Sequence, residues 1–253
     1  MNYTFGDSER AARRLAVVAR VFEPASAAFV TACRGADAVV AIDLGCGPGH
    51  TTEMLARASG CARCIGMDAS EAYVAEGSSR TKAVEFVQHD VLATPYPTPR
   101  ADLLYARFLV THLPDPAAAV AAFTSQLAPR GRLLLDEVEW IRSEASPFVR
   151  YLAHVEAMLG DAGQCLYVGP RIGDIASNRE RVHENAVRTL DVAPRDAAEM
   201  FALNWETLRE NAGVLARTTA AERDALAAEL AALRDGGESA PITWGLRQVA
   251  MEV

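Results

Sequence analysis

Three acids, a glycine cluster and one histidine are the residues best placed to do chemistry. The segment Asp43-Leu44-Gly45-Cys46-Gly47-Pro48-Gly49 spaces its glycines two apart. That spacing lets the backbone turn sharply and approach a ligand with no Cβ in the way. The loop resembles a dinucleotide loop, but Asp43 precedes its first glycine by two positions. A carboxylate there would repel a pyrophosphate, and it suits a cationic ligand or an ammonium group reached through water. Asp68 and Asp90 each close a short apolar run. An acid in the position of Asp68 can accept both hydroxyls of a ribose, and one in the position of Asp90 can accept an adenine amine. Either acid alone reads equally well as a surface residue or a helix cap. Delivered together to one sheet edge, they point to a nucleoside ligand. His112 titrates near neutral pH when unperturbed and is the general-base candidate, the competing reading being a structural role ahead of Pro114.

The elements that must carry these residues repeat as strand, loop and helix. Residues 38–44 form a short apolar strand that runs into the glycine loop, and a helix follows from His50 to Ala58. Further strands are expected at 64–68, 84–90, 101–106 and 132–138, with helices at 70–79 and 116–127. Continuous apolar strands alternating with helices imply a parallel sheet covered on both faces. Ligands in such sheets bind beyond the carboxyl ends of the strands. An N-terminal helix is expected over 8–34, broken at Pro24. Beyond Trp140 the pattern turns mostly helical at 147–160 and 194–234, with a break at Thr218-Thr219, and strands at 182–192 and 242–253 complete the sheet. The fold class is therefore α/β: a Rossmann-like, seven-stranded, mostly parallel sheet with helices on both faces and a helical cap. One domain is expected, with an N-terminal helical segment over 1–35, a cofactor-binding core over 36–140, and cap insertions with the final strands over 141–253.

With these residues in view, the chain resembles the class I S-adenosylmethionine (SAM)-dependent methyltransferases. Ile42 to Gly49 resembles their signature loop, which assigns Asp43, Gly45, Cys46, Gly47 and Gly49 to the cofactor. Gly66-Met67-Asp68-Ala69-Ser70 resembles the ribose motif, so Asp68 and Ala69 join them, and Tyr73 takes the place that packs on adenine. His89-Asp90-Val91 matches the adenine-edge motif. Leu127 to Leu133 looks like the family's turn into the fifth strand, with Arg130 where glycine is common. In this family the loop after the fourth strand lies under the sulfonium, which implies cofactor contacts from Arg107 and a pocket wall from Phe108. In a subgroup acting on small molecules the N-terminus closes over the site, which implies that Tyr3 and Phe5 meet the acceptor and that Arg10 pairs with the SAM carboxylate. Glu137 and Trp140 at the end of the fifth strand, and Tyr167 in the cap, are assigned to the acceptor pocket. The product would be S-adenosylhomocysteine (SAH).

Bulk properties narrow the acceptor. The net charge is −8, Lys82 is the only lysine, and no basic block could neutralise a phosphate backbone. Nucleic acid is thus disfavoured, and a small molecule of specialised metabolism is the expected acceptor. The loop after the fourth strand lacks the motifs of adenine, glutamine or pyrimidine methylation. Cys61 and Cys64 have metal-ligand spacing but no second pair, so no metal is expected. With no signal peptide or apolar run free of charge, the expectation is a cytoplasmic protein without a membrane span. Dimerisation through the cap or the first helix is left open. Two other functions use the same cofactor site. SAM could itself be the substrate of a cyclase or lyase that releases methylthioadenosine, or the chain could be a non-catalytic SAM-binding partner. A nicotinamide-dependent dehydrogenase fits the glycine loop alone.

Overall fold

The computed structural model describes residues 9–36 and 38–253, with side chains from residue 12 onward within that first stretch. Seven strands form one sheet: β1 (Val40–Leu44), β2 (Arg63–Asp68), β3 (Glu85–Gln88), β4 (Ala101–Arg107), β5 (Leu127–Ser143), β6 (Val182–Val192) and β7 (Ile242–Glu252). Their spatial order is β3-β2-β1-β4-β5-β7-β6. All pairings are parallel except those of β7, which runs antiparallel to both β5 and β6. The order reverses at β1 and β4, so the loops after these strands open a crevice at their carboxyl ends.

Helices cover both faces. On one side lie α1 (Glu9–Cys33), α2 (His50–Ser59) and α3 (Glu71–Arg80); on the other are α4 (Pro116–Thr124) and α6 (Gly169–Ser177). Phe29, Val30, Met54 and Leu55 bury against Leu103, Tyr105 and Leu134. The opposite face buries Val120, Phe123 and Ile172 against Ile42, Leu104 and Leu133. Helix α6 was not expected from the sequence. Its Gly169 and Gly173 bring it onto the sheet: an added Cβ at Gly169 would lie 2.6 Å from the Glu139 carboxylate.

The cap is a third core, built from α5 (Ser146–Asp161), α7 (Pro194–Leu208), α8 (Ala212–Arg217) and α9 (Ala220–Arg234) over the ends of β5 and β7. Its interior is aromatic, with Phe148, Tyr151, Phe201, Trp205 and Trp244. Helix α9 begins at the expected break, where Thr219 and Glu222 form a reciprocal capping box.

Helix α1 departs from expectation, because it passes through Pro24 without a break. Tertiary anchors hold it on either side of the proline. Phe22 packs edge-on against Phe108 and Trp244, and Ser26 donates to buried Asp136 at 2.7 Å. By length and apolar composition alone, Ala12–Cys33 would qualify as a membrane span, which the sequence reading overlooked. Here its apolar residues Phe22, Phe29 and Val30 are used against the sheet and cap.

Candidate active site

The glycine loop is shaped by three left-handed residues, Gly45 (φ 66°), Gly47 (φ 53°) and Gly49 (φ 87°). Side chains would strain this backbone and also collide with their neighbours: an added Cβ would lie 2.6 Å from Leu109 at Gly45 and 2.4 Å from the Phe86 ring at Gly49. The Gly45 and Cys46 N–H groups donate to the Met67 carbonyl, tying the loop to β2. Asp43 lies beneath the loop and is 1 % exposed. Its carboxylate accepts from the Thr51 and Thr52 hydroxyls at 2.6 and 2.8 Å. Burial pushes its pKa up to about 6 against those two hydrogen bonds and the Arg107 charge. Asp43 therefore braces the start of α2 from below and does not line the cavity above.

Asp68 stands at the end of β2, where Gly47 N–H and Ser70 N–H donate to its two carboxylate oxygens at 2.8 and 2.9 Å. These bonds fix the carboxylate against both the loop and the start of α3. Ser70 also caps α3 by accepting from Tyr73 N–H. Asp90, beyond β3, accepts from Leu92 N–H at 2.9 Å. Between these acids, Ala69, buried Tyr73 and buried Val91 line the same cavity. The three expected motifs thus converge on one edge, with loop backbone, two acids and apolar walls. That set suits a nucleoside: acceptors for hydroxyls and an amine beside surfaces for a flat base.

Arg107 ends β4 and reaches the cavity from the other side. Its guanidinium donates to Ser26 Oγ at 3.4 Å, and Ser26 in turn donates to Asp136. Tyr105 and Gln248 also donate to Asp136, at 3.3 and 3.4 Å. A buried polar network thereby joins α1, β4, β5 and β7 directly behind Arg107. The next residue, Phe108, has φ 53°, a left-handed conformation that is costly for a side chain with a Cβ. Its ring packs edge-on against Phe22 with centroids 5.0 Å apart.

Glu137 holds this strained turn and faces away from the acceptor side. Its Oε1 accepts from Leu109 and Val110 N–H at 2.9 and 2.8 Å, and Oε2 is buried without a hydrogen-bond partner. Burial raises its pKa to about 8. His112, one turn further on, does line the cavity. Burial, with the Arg14 charge adding to it, lowers its pKa to about 3.

Beyond His112 the cavity widens under the cap. It encloses about 710 Å³ in all, walled on this side by α1, α5, α7 and the ends of β5 and β7. Trp140 does not reach it. A bulge between Val138 and Trp140 in the pairing with β7 inserts one extra residue, so Val138 and Ile141 face the cavity. Trp140 is turned to the opposite face, against Gly245 and 4.2 Å beneath the Arg142 guanidinium. Trp244 lines the chamber, a residue the sequence marked only as part of the last strand. Tyr167 also lies off the cavity, and burial, with the Glu156 charge adding to it, raises its pKa. Tyr3, Phe5 and the Arg10 side chain fall outside the described residues. Arg14, Leu15, Val18 and Phe22 of α1 line the chamber and were missed, although their three-to-four spacing marks one helix face. No group of three or more metal-ligating side chains occurs among the described residues.

Residues 42–135, which carry this edge, match the family model of a methyltransferase domain. Over that stretch the match supports a class I SAM-dependent methyltransferase. A trans-aconitate 2-methyltransferase of Paracidovorax citrulli is 34% identical to this chain over 142 residues, or 56% of this chain and 51% of the relative. The chain spans about half the length of the curated relatives it matches. A solved type II methyltransferase from Anaeromyxobacter dehalogenans aligns with a TM-score of 0.58 at 18% identity, covering 90% of this chain and 95% of that one. The [4+2]-cyclase SpnF aligns with a TM-score of 0.54 at 17% identity, covering 91% and 82%. These structural likenesses show the fold, which does not by itself fix a reaction.

Proposed function

We propose that the protein transfers a methyl group from SAM to a small-molecule acceptor enclosed beneath the cap. The observation that carries this reading is the continuity of the cavity. It runs from the glycine loop, Asp68 and Asp90 past Phe108 and His112 into a chamber lined by α5 and α7. SAM held at that edge would supply a methyl carbon on a sulfonium, open to displacement by an acceptor lone pair with SAH as the leaving group.

The chain's own part is alignment and exclusion of water. Asp68, fixed by Gly47 and Ser70, accepts the ribose hydroxyls. Asp90 addresses the adenine edge, between the walls of Tyr73 and Val91. Arg107, backed by Ser26 and Asp136, faces the carboxylate end. Phe108 and His112 separate the cofactor end from the chamber, and the aromatic cap keeps water from the reacting atoms. His112, held neutral by burial, serves as a wall and not as a proton acceptor. A chamber under a helical cap accommodates a small molecule more readily than a protein or a duplex.

The test is to incubate the protein with SAM, with and without a panel of small acceptors, and to follow the cofactor by mass spectrometry. Asp68→Ala serves as the binding control. The expected result is intact SAM without acceptor and SAH with one. Accumulation of methylthioadenosine in the absence of acceptor would show instead that SAM is the substrate, and would overturn this reading.

A further inference from the structure

We infer that the acceptor is a largely apolar molecule anchored in the chamber by a neutral hydroxyl group, which Tyr151 and Asn204 bind as a pair. This inference rests on the methyl-transfer reading above. Tyr151 of α5 and Asn204 of α7 are only 4 % and 5 % exposed, and both line the chamber. They meet between the two helices, where Asn204 Nδ2 donates to Tyr151 Oη.

That single bond leaves the pair incomplete. Asn204 Oδ1 accepts no hydrogen bond among the described residues. It is not sealed inside the core either, and the chamber is the space that its side chain borders. The Tyr151 O–H likewise has no acceptor among the described residues. Burial pushes its pKa up to about 12, so the phenol keeps that proton to donate. Turning the amide over would make Tyr151 Oη the open acceptor and Asn204 Nδ2 the open donor. In either orientation the pair offers the chamber one donor and one acceptor. Polar groups this deep are costly to leave unmade, because they have given up their bonds to water. A ligand atom that both accepts and donates satisfies the two together, and a hydroxyl is the smallest such group. The surrounding wall sets the rest of the molecule. Phe201 stacks on Tyr151 with centroids 4.1 Å apart, and Leu152, Val155, Met200 and Trp244 also line the chamber. Aromatic and aliphatic walls around one polar pair suit a flat apolar body that carries its hydroxyl at one end.

The experiment is equilibrium dialysis of the full chain in saturating SAH against three probes. They are 2-naphthol, its apolar isostere 2-methylnaphthalene, and the anion 2-naphthoate. The wild type is compared with the double variant Tyr151→Phe/Asn204→Leu. The ratio of naphthol to methylnaphthalene affinity should be at least about tenfold lower in the variant. Drawing each probe out of water costs the same for both proteins, so the change in that ratio reads the pair alone. In the wild type naphthol should bind more tightly than either other probe. SAH affinity should stay within about threefold, which serves as the fold control. An unchanged ratio in the variant overturns the inference. So does wild-type binding of methylnaphthalene or naphthoate that equals or exceeds that of naphthol, and so does undetectable naphthol binding. The wild-type comparison decides alone should the variant not fold. Failure of the wild type to bind SAH would instead overturn the methyl-transfer reading and this inference with it.

Discussion

His112 shows how burial can reverse a role suggested by residue type. An imidazole whose pKa has fallen to about 3 cannot hold a proton near neutral pH. His112→Gln should therefore leave the shape of the pH–rate profile unchanged between pH 5 and 8, whatever it does to the absolute rate. A profile limb near pH 6.5 that disappears in the variant would restore His112 as a base. The same shift sets a stability trend. Between about pH 6.5 and 3 the unfolded chain binds this proton and the native state does not, so the His112 contribution falls as pH falls, by about 1.4 kcal/mol per unit. Chemical denaturation across that range should show a shallower acid loss in His112→Gln than in the wild type. Asp68 makes the opposite case, because its place on the cavity edge was legible from position alone. An acid closing the second strand, just beyond the glycine loop, is delivered to that edge, where Gly47 and Ser70 N–H donate to it. Asp68→Ala removes a charged acceptor from Gly47 and Ser70 and, in the proposed binding mode, from the ribose. It should weaken SAH binding by roughly ten- to a hundredfold in calorimetry, given about 1.5–3 kcal/mol for a bond to a charged group.

At the scale of elements, legibility depended on whether a side chain's direction follows from local spacing. The strand-end acids and the glycine loop obey simple alternation, and the structure brings them to one edge as expected. Trp140 does not, because the bulge at Val138–Trp140 changes which residues of β5 beyond it face the cavity, and nothing local in the sequence announces it, while Glu137 lies on the face opposite Val138 by alternation itself. Helix α1 runs on through Pro24 because Phe22 and Ser26 anchor it to partners more than eighty residues away. Glu137 instead became the clamp on the strained turn from Phe108 to His112, and that role makes a prediction. Its carboxyl group is protonated more readily in the native state than in the unfolded chain. The stability it contributes is therefore fully present below about pH 4.5 and is lost as pH rises through about 8. Glu137→Gln keeps one carbonyl for Leu109 and Val110 N–H and cannot ionise. Urea unfolding from pH 5 to 9 should show the wild type losing stability relative to the variant. Parallel curves would mean that the carboxylate is already charged in the native state.

Across the whole molecule, the two ends of the cavity come from different kinds of sequence information. The nucleoside edge lies within one contiguous stretch, residues 42–135, where each motif sits at the end of its own strand. The acceptor chamber is assembled from α1, α5, α7 and the ends of β5 and β7, which meet only in the folded chain, so no local pattern could have revealed Arg14, Tyr151, Phe201 or Trp244 as neighbours. This division predicts that the ends can be damaged separately. Phe201 stacks on Tyr151 with centroids 4.1 Å apart and meets Phe148 edge-on at 5.5 Å, while lining the chamber. Phe201→Ala should cost about 3 kcal/mol of unfolding free energy, the low end of such truncations, because part of the ring already borders open space. SAH affinity should change by less than about threefold, since the ring's aromatic partners are Phe148, Tyr151 and Trp244 of the cap and β7, whereas occupancy of the chamber by an acceptor should fall steeply. Denaturant titration and SAH calorimetry on the same variant measure both quantities. A loss of SAH affinity beyond tenfold would mean that the cap helps to hold the nucleoside edge in place, and that cofactor and acceptor binding are energetically coupled through α1 and α7.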